Sequence, residues 1–194
     1  MKSCSVRVLG SLNWCEGSVS YAGLRRRIYY VSKSAVDSWA DNIVSGENIG
    51  NITGFRNAPV LKAGKVWSCM DIVADKSQLQ SEQQGEKPSK TFKNTLTAVY
   101  AGVDVDAAAV AGQILNDDVV VLVQDGDGQW RVIGNNAFPT AVSVAQDNGQ
   151  GVTGTTATTF TFECTDQTPA PFLTGNTLPN NREDAEEEES SSVA

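Results

Sequence analysis

Any chemistry in this chain would have to come from its carboxylates. Three close pairs, Asp104 with Asp106, Asp117 with Asp118 and Asp37 with Asp41, have the residue type that glycoside hydrolysis requires. One carboxylic acid protonates the leaving oxygen and the other carboxylate serves as base or nucleophile. The 194 residues include no histidine, which removes the commonest general base, the Ser–His and Cys–His nucleophile pairs, and most catalytic zinc and iron sites. Each aspartate also has a plainer use as a helix cap, a turn residue or part of a solvated face, and that reading is preferred. The sequence therefore predicts a non-enzyme with no catalytic, cofactor-binding or metal residue, and no cofactor.

Other motifs reduce in the same way. Gly149-Gln150-Gly151-Val152-Thr153-Gly154 has the spacing of a dinucleotide fingerprint. It precedes the strand-like run Thr155–Phe162, whereas that fingerprint must open a helix, so a turn-rich connection is expected. Asp125-Gly126-Asp127-Gly128 begins like a calcium loop, but Gln129, Trp130 and Asn136 fall where a ligand, a glycine and the closing glutamate belong. A tight turn is the better reading. Cys4, Cys15, Cys69 and Cys164 are widely spaced without a Cys-x-x-Cys pair, so they are expected to be free, semi-buried structural thiols. Asn51-Ile52-Thr53 is taken as a chance match to the glycosylation sequon.

The formal charge is -8, and Arg182–Glu189 supplies six acids against one base. That segment carries -5, which leaves -3 for the rest, so no basic surface argues for specific nucleic-acid binding. Arg25-Arg26-Arg27 is the one basic cluster, read as the start of a strand at a surface or interface. Arg7 interrupts the short apolar stretch at the N-terminus, so synthesis and retention in a cytoplasm are expected. No run reaches the roughly 18 apolar residues of a spanning helix, and no membrane association is expected.

The elements that would position these residues are mostly strands. Val119–Gln124 and Gln129–Ile133 flank Asp125-Gly126-Asp127-Gly128 as a β-hairpin. Leu24–Val31 and Val66–Val73 read as extended, Gly46–Gly54 as a loop or bulged strand, and Ala141–Ala145 as a further short strand. Thr91–Ala101 alternates, with Phe92, Leu96, Ala98 and Tyr100 opposing Lys93, Thr95 and Thr97, and Asn94 as the exception. Thr155–Cys164 sets Phe160, Phe162 and Cys164 against Thr159, Thr161 and Glu163, a half-buried or edge strand. Two segments read as helical: Ser34–Val44, with Val36, Trp39, Ala40, Ile43 and Val44 on one face, and the alanine-rich Asp104–Leu115 behind an aspartate cap. Asp75–Lys90 is polar except for Leu79 and is predicted to be a long exposed contact loop. Pro169, Pro171 and Pro179 end regular structure ahead of a tail too acidic to fold.

The fold class expected is thus mainly β: an antiparallel β-sandwich or barrel-like domain with one or two short flanking helices and a disordered acidic C-terminal tail. The divisions are an N-terminal arm (1–20), the sandwich (21–178) and the tail (179–194).

Gly23–Tyr30, Thr91–Leu96 after a polar loop, the alanine-rich helix, the Asp125–Gly128 hairpin with Gly134 behind it, and Thr158–Phe162 ahead of Pro169-Ala170-Pro171-Phe172 follow one another in this order. In that order and texture the chain resembles the tail tube (major tail) proteins of tailed bacteriophages and related virion proteins. The resemblance implies a non-enzymatic virion subunit, made in a host cytoplasm. Such a subunit closes hexameric rings by sheet pairing and stacks them into a tube with other tail proteins, touching DNA only as it passes non-specifically through the lumen. Ring contacts would fall to the hairpin and Thr91–Ala101, and stacking to Asp75–Lys90. A head decoration or head-to-tail joining protein is the alternative. A carbohydrate-binding sandwich is a further one, if Trp14, Trp39, Trp67 or Trp130 lies on the surface.

Overall fold

A computed structural model of the chain describes residues 13–39, 44–45 and 52–173. The tail, most of the arm and residues 40–43 lie outside them. In chain order the strands are β1 (Leu24–Ser32), β2 (Val36–Ser38), β3 (Val44–Ser45), β4 (Ile52–Arg56), β5 (Val60–Leu61), β6 (Ser68–Asp71), β7 (Gln78–Gln84) and β8 (Thr91–Ala101). The helix α1 (Val105–Ile114) follows, then β9 (Val119–Asp125), β10 (Trp130–Ile133), β11 (Thr140–Asp147), β12 (Ala157–Asp166) and β13 (Phe172–Leu173).

They form a seven-stranded sheet in the order β3-β4-β13-β10-β9-β1-β6, a four-stranded sheet in the order β11-β12-β8-β7, and a small pair of β2 with β5. Pairing is antiparallel except between β13 and β4. The fold is mainly β with one flanking helix, as the composition of its strands predicts.

Ile28, Val121 and Val123 of the larger sheet pack on Leu96, Phe160 and Phe162 of the smaller, and Ile114 of α1 closes this core. The far side of the larger sheet carries a second core, in which Tyr29, Val120 and Leu122 meet Trp67 and Trp130. This explains why Val119–Val123 is an unbroken apolar run: β9 lies between β10 and β1, and both of its faces are covered. The hairpin turn lies where expected, with the Gly128 amide donating to the Asp125 carbonyl at 2.8 Å.

Two segments differ from the sequence expectation. The stretch expected to be helical from Ser34 is only a 3₁₀ turn, Lys33–Ala35, capped by Ser32 and not by Ser34, and it runs directly into β2. Ala35 and Val36 are buried in the second core, so burial and pairing with β5 outweigh a helical period that Val36 shares with Trp39. Ala40 and Ile43 lie outside the described residues. The predicted Asp75–Lys90 loop contains the strand β7, in register with β8 from Gln78 opposite Thr97 to Gln84 opposite Thr91, and its end, 85–90, is a turn. A strand at a sheet edge needs a backbone partner on one side but few apolar side chains, which is why its polar sequence read as a loop. In addition, Thr155–Cys164, which allowed an edge assignment, is interior: β12 pairs with β11 on one side and β8 on the other.

Candidate assembly surfaces

The carboxylate pairs do not converge on a common point. Asp104 caps α1, accepting from the Ala107 amide at 2.7 Å and from the Tyr100 hydroxyl at 2.8 Å. Those two hydrogen bonds, the Ala107 amide first, hold its carboxyl below the ordinary carboxylate range. Asp117 accepts from the Ser32 hydroxyl, and the Asp118 carbonyl from the Lys33 amide. Asp37 is exposed, and Asp41 lies outside the described residues. Each described member thus has a capping, bridging or solvated position.

The other motif residues are equally plain. Gly149–Gly154 lies in the turns between β11 and β12. Trp67 and Trp130 are core residues at 4% exposure each. Trp130 cannot stack on a sugar from there, and Trp14 is the tryptophan that stands in solvent. The Cys15 thiol is exposed and the Cys164 thiol buried, and burial pushes the latter's pKa up.

What the structure does expose is the edges of the smaller sheet. Among the described residues no strand pairs with the outer side of β7 or of β11. The strands expected to make ring contacts are not edges at all. β8 is held between β12 and β7, β9 between β10 and β1, and β10 between β9 and β13. Their backbone donors and acceptors are turned to neighbours in the same chain, so the sides left open to another strand are those of β7 and β11 in the smaller sheet and of β3 and β6 in the larger.

Both edges look unfinished on the core side. Val142 and Val144 of β11 and Leu79 of β7 face the main core yet are only partly buried, because the sheet stops beside them. The opposite face is polar and flat in composition. Ser143, Thr161, Thr97 and Gln78 form one cross-strand row, and Ala141, Glu163, Thr95 and Gln80 the next. Lys93 crosses this face to Glu163 at 2.7 Å.

No protein-family model, no curated protein and no solved structure matches the chain.

Beside the β7 edge the chain entering β1 is latched to the hairpin turn. Asp127 accepts from the Tyr21 amide at 2.7 Å and from the Ser20 hydroxyl at 3.1 Å. The Gly126 amide donates to the Gly23 carbonyl at 2.9 Å. A Cβ on Gly126 would stand 2.8 Å from the Tyr21 carbonyl oxygen, so only glycine permits this approach. A cleft of about 640 Å³ opens here between Tyr21, Leu79, Asp125, Arg131 and Phe172. Burial raises the Asp125 pKa although Arg131, at 3.2 Å, opposes the rise. Sequence reasoning missed these edges and this latch because neither has a motif. Their one legible trace was the hydrophilic stretch Gln78–Gln84 beside an alternating strand.

Proposed function

We propose that the protein is a non-enzymatic structural subunit of a bacteriophage virion that assembles into rings, and that the rings stack into a tail tube through which DNA passes. The observation that carries this reading is the pair of free edges, β7 and β11, at opposite ends of one four-stranded sheet. Two different edges on one body make a heterologous, head-to-tail contact, which generates a ring when the rotation closes.

The polarity of the strands fits such a joint. The four-stranded sheet alternates direction at every step, so β7 and β11 run oppositely and would meet as one more antiparallel pair. Joining them would cover Leu79, Val142 and Val144 with a neighbour's core-side residues. Six such sheets at about 4.8 Å per strand would close a wall of roughly 115 Å circumference, broad enough for a DNA duplex. Its inner face would be the hydroxyl and amide rows, with Glu82 and Glu163 outnumbering Lys93. Mild negative charge there repels phosphates and does not hold them. Stacking falls to the turn between β7 and β8, the residue of the loop to which the sequence assigned it. A head decoration or head-to-tail joining protein would use the same edges but stop at a discrete ring or monomer.

The test is electron microscopy of the purified chain beside the variant Val144→Lys. A charge pointing inward at an exposed edge blocks pairing while leaving the fold to its own two sheets. Rings or tubes from the wild type, and folded monomers from the variant, are expected. A wild type that stays monomeric at high concentration, or a variant that assembles equally well, overturns the proposal.

A further inference from the structure

The chain has three steps at which an aspartate or asparagine precedes glycine: Asp125-Gly126, Asp127-Gly128 and Asn148-Gly149. At such a step the glycine backbone nitrogen can attack the side-chain carbonyl before it, because no Cβ shields the nitrogen and glycine tolerates the bend that ring closure needs. Asparagine is the reactive member, since its side chain expels ammonia, whereas an ionised carboxylate would have to expel oxide.

The fold treats the three steps differently. The Gly126 amide donates to the Gly23 carbonyl at 2.9 Å and the Gly128 amide to the Asp125 carbonyl at 2.8 Å, so both nitrogens are tied to backbone within the hairpin turn. The Asp127 carboxylate is itself held by the Tyr21 amide and the Ser20 hydroxyl. Asn148-Gly149 lies in the turn after β11, with Asn148 exposed. The last residue of the ladder is Asp147, opposite Ala157, so Asn148 is the first residue beyond it. The Gly149 amide donates at 2.9 Å to the Asp147 carboxylate, a side chain that releases it by rotating about its own bonds. The exposed Asn116 and Asn136 precede Asp117 and Ala137, whose Cβ atoms crowd the attacking nitrogen.

From this we infer that Asn148 is a site of self-modification, at which the folded chain converts the asparagine to a mixture of aspartate and isoaspartate. The bond from the Gly149 nitrogen to the Asn148 Cγ forms and the Cγ–Nδ2 bond breaks. The Gly149 amide proton leaves with the side-chain nitrogen as ammonia, and a succinimide ring remains. Solvent water opens that ring at either carbonyl. Opening at Cγ gives aspartate, and opening at the main-chain carbonyl gives isoaspartate, whose backbone runs through Cβ and Cγ. Nothing is oxidised or reduced. Either product adds a negative charge beside Asp147, at the end of the edge strand β11. Isoaspartate also inserts a carbon into the main chain just ahead of a close approach, since a Cβ on Gly149 would lie 2.9 Å from the Gly154 carbonyl carbon. The modification therefore alters the shape of the turn as well as its charge. It goes beyond the assembly reading and does not depend on it.

The test incubates the purified full chain at mildly alkaline pH, which favours loss of the amide proton, and follows it by anion exchange and peptide mass spectrometry. A species with an added negative charge should accumulate in the folded protein. Its mass gain should map to Asn148, which should convert several-fold faster than Asn116 or Asn136. The modified peptide should resolve into two forms of equal mass, one of which co-elutes with the peptide from Asn148→Asp. Asn148→Gln should remove the new species, because glutamine would have to close a larger ring. Asp125 and Asp127 should isomerise only in the chain unfolded by urea. An Asn148 that keeps its amide until the chain unfolds, conversion no faster than at Asn116 and Asn136, a single aspartyl product, isomerisation of Asp125 or Asp127 in the folded protein, or an acidic species undiminished in Asn148→Gln overturns the inference. Every readout is made on the individual chain, so a failure here leaves the ring proposal standing, and an absence of rings leaves this inference standing.

Discussion

Arg56 of β4 places a guanidinium nitrogen 2.7 Å from the Asp166 carboxylate of β12, with the two side chains only 9% and 4% exposed, so one buried ion pair joins the two sheets. Asp166 is held further by the Asn135 side-chain amide at 3.2 Å and the Gln167 amide at 2.6 Å. Burial makes such a pair costly to break and of modest net value to keep. Asp166→Ala should therefore destabilise the protein by about 3–5 kcal/mol, read from urea unfolding, whereas Asp166→Leu together with Arg56→Met should recover much of that loss. A double variant as unstable as the single one would show that the pair stabilises on its own account.

Phe162 is fully buried between the sheets and stacks near Phe160, with ring centroids 6.5 Å apart. Truncation to alanine should cost about 3–5 kcal/mol through lost transfer energy and the cavity left behind. Trp130→Ala, in the second core, should lower stability comparably and leave any glycan-array signal unchanged, since its ring packs 5.6 Å from that of Tyr29 and not in solvent.

Gly134 adopts φ 113°, and a Cβ there would lie 3.2 Å from the Val119 carbonyl oxygen and the Val120 Cα. Gly134→Ala combines a strained backbone with a contact to the rigid central strand. A loss of about 1–3 kcal/mol in unfolding free energy is expected. An alanine variant as stable as the wild type would mean that β9 can yield.

The Asp104 cap makes part of the stability pH-dependent. Its carboxyl pKa is lowered in the folded state, so its contribution is present above the ordinary carboxylate pKa and is lost as pH falls through the depressed value. The Tyr100 hydroxyl, hydrogen-bonded to that carboxylate, has its pKa raised, so the hydrogen bond persists into alkaline solution. Asp104→Asn keeps a capping side chain but no charge. The stability difference from wild type should therefore shrink steadily below pH 4 in thermal melts, and a difference that does not change with pH would contradict the assignment.

Two of the described thiols should separate by kinetics. Cys15 is exposed and Cys164 is buried with a raised pKa, so iodoacetamide should label Cys15 in the native protein and Cys164 only after unfolding. Peptide mass spectrometry over a time course reads both sites at once.

Period and turn chemistry, which are local properties, were enough to locate several elements in the sequence. The alternation of Thr91–Ala101 and Thr155–Cys164, the turn at Asp125–Gly128 and the cap at Asp104 each follow from side-chain spacing or backbone preference, and they set the fold class. Partnership was not legible. The sequence Gln78–Gln84 became a strand because β8 offered it a backbone edge, and Val36 left its helical period because a second core buried it. Asn94, the exception in its strand, points inward because its amide donates to the Thr168 carbonyl, 74 residues away in the chain. Which strands keep a free edge, and which apolar faces stay uncovered, depend on the order of strands in space. That order is set by contacts between distant segments, and it leaves β7 and β11 at the two ends of the smaller sheet.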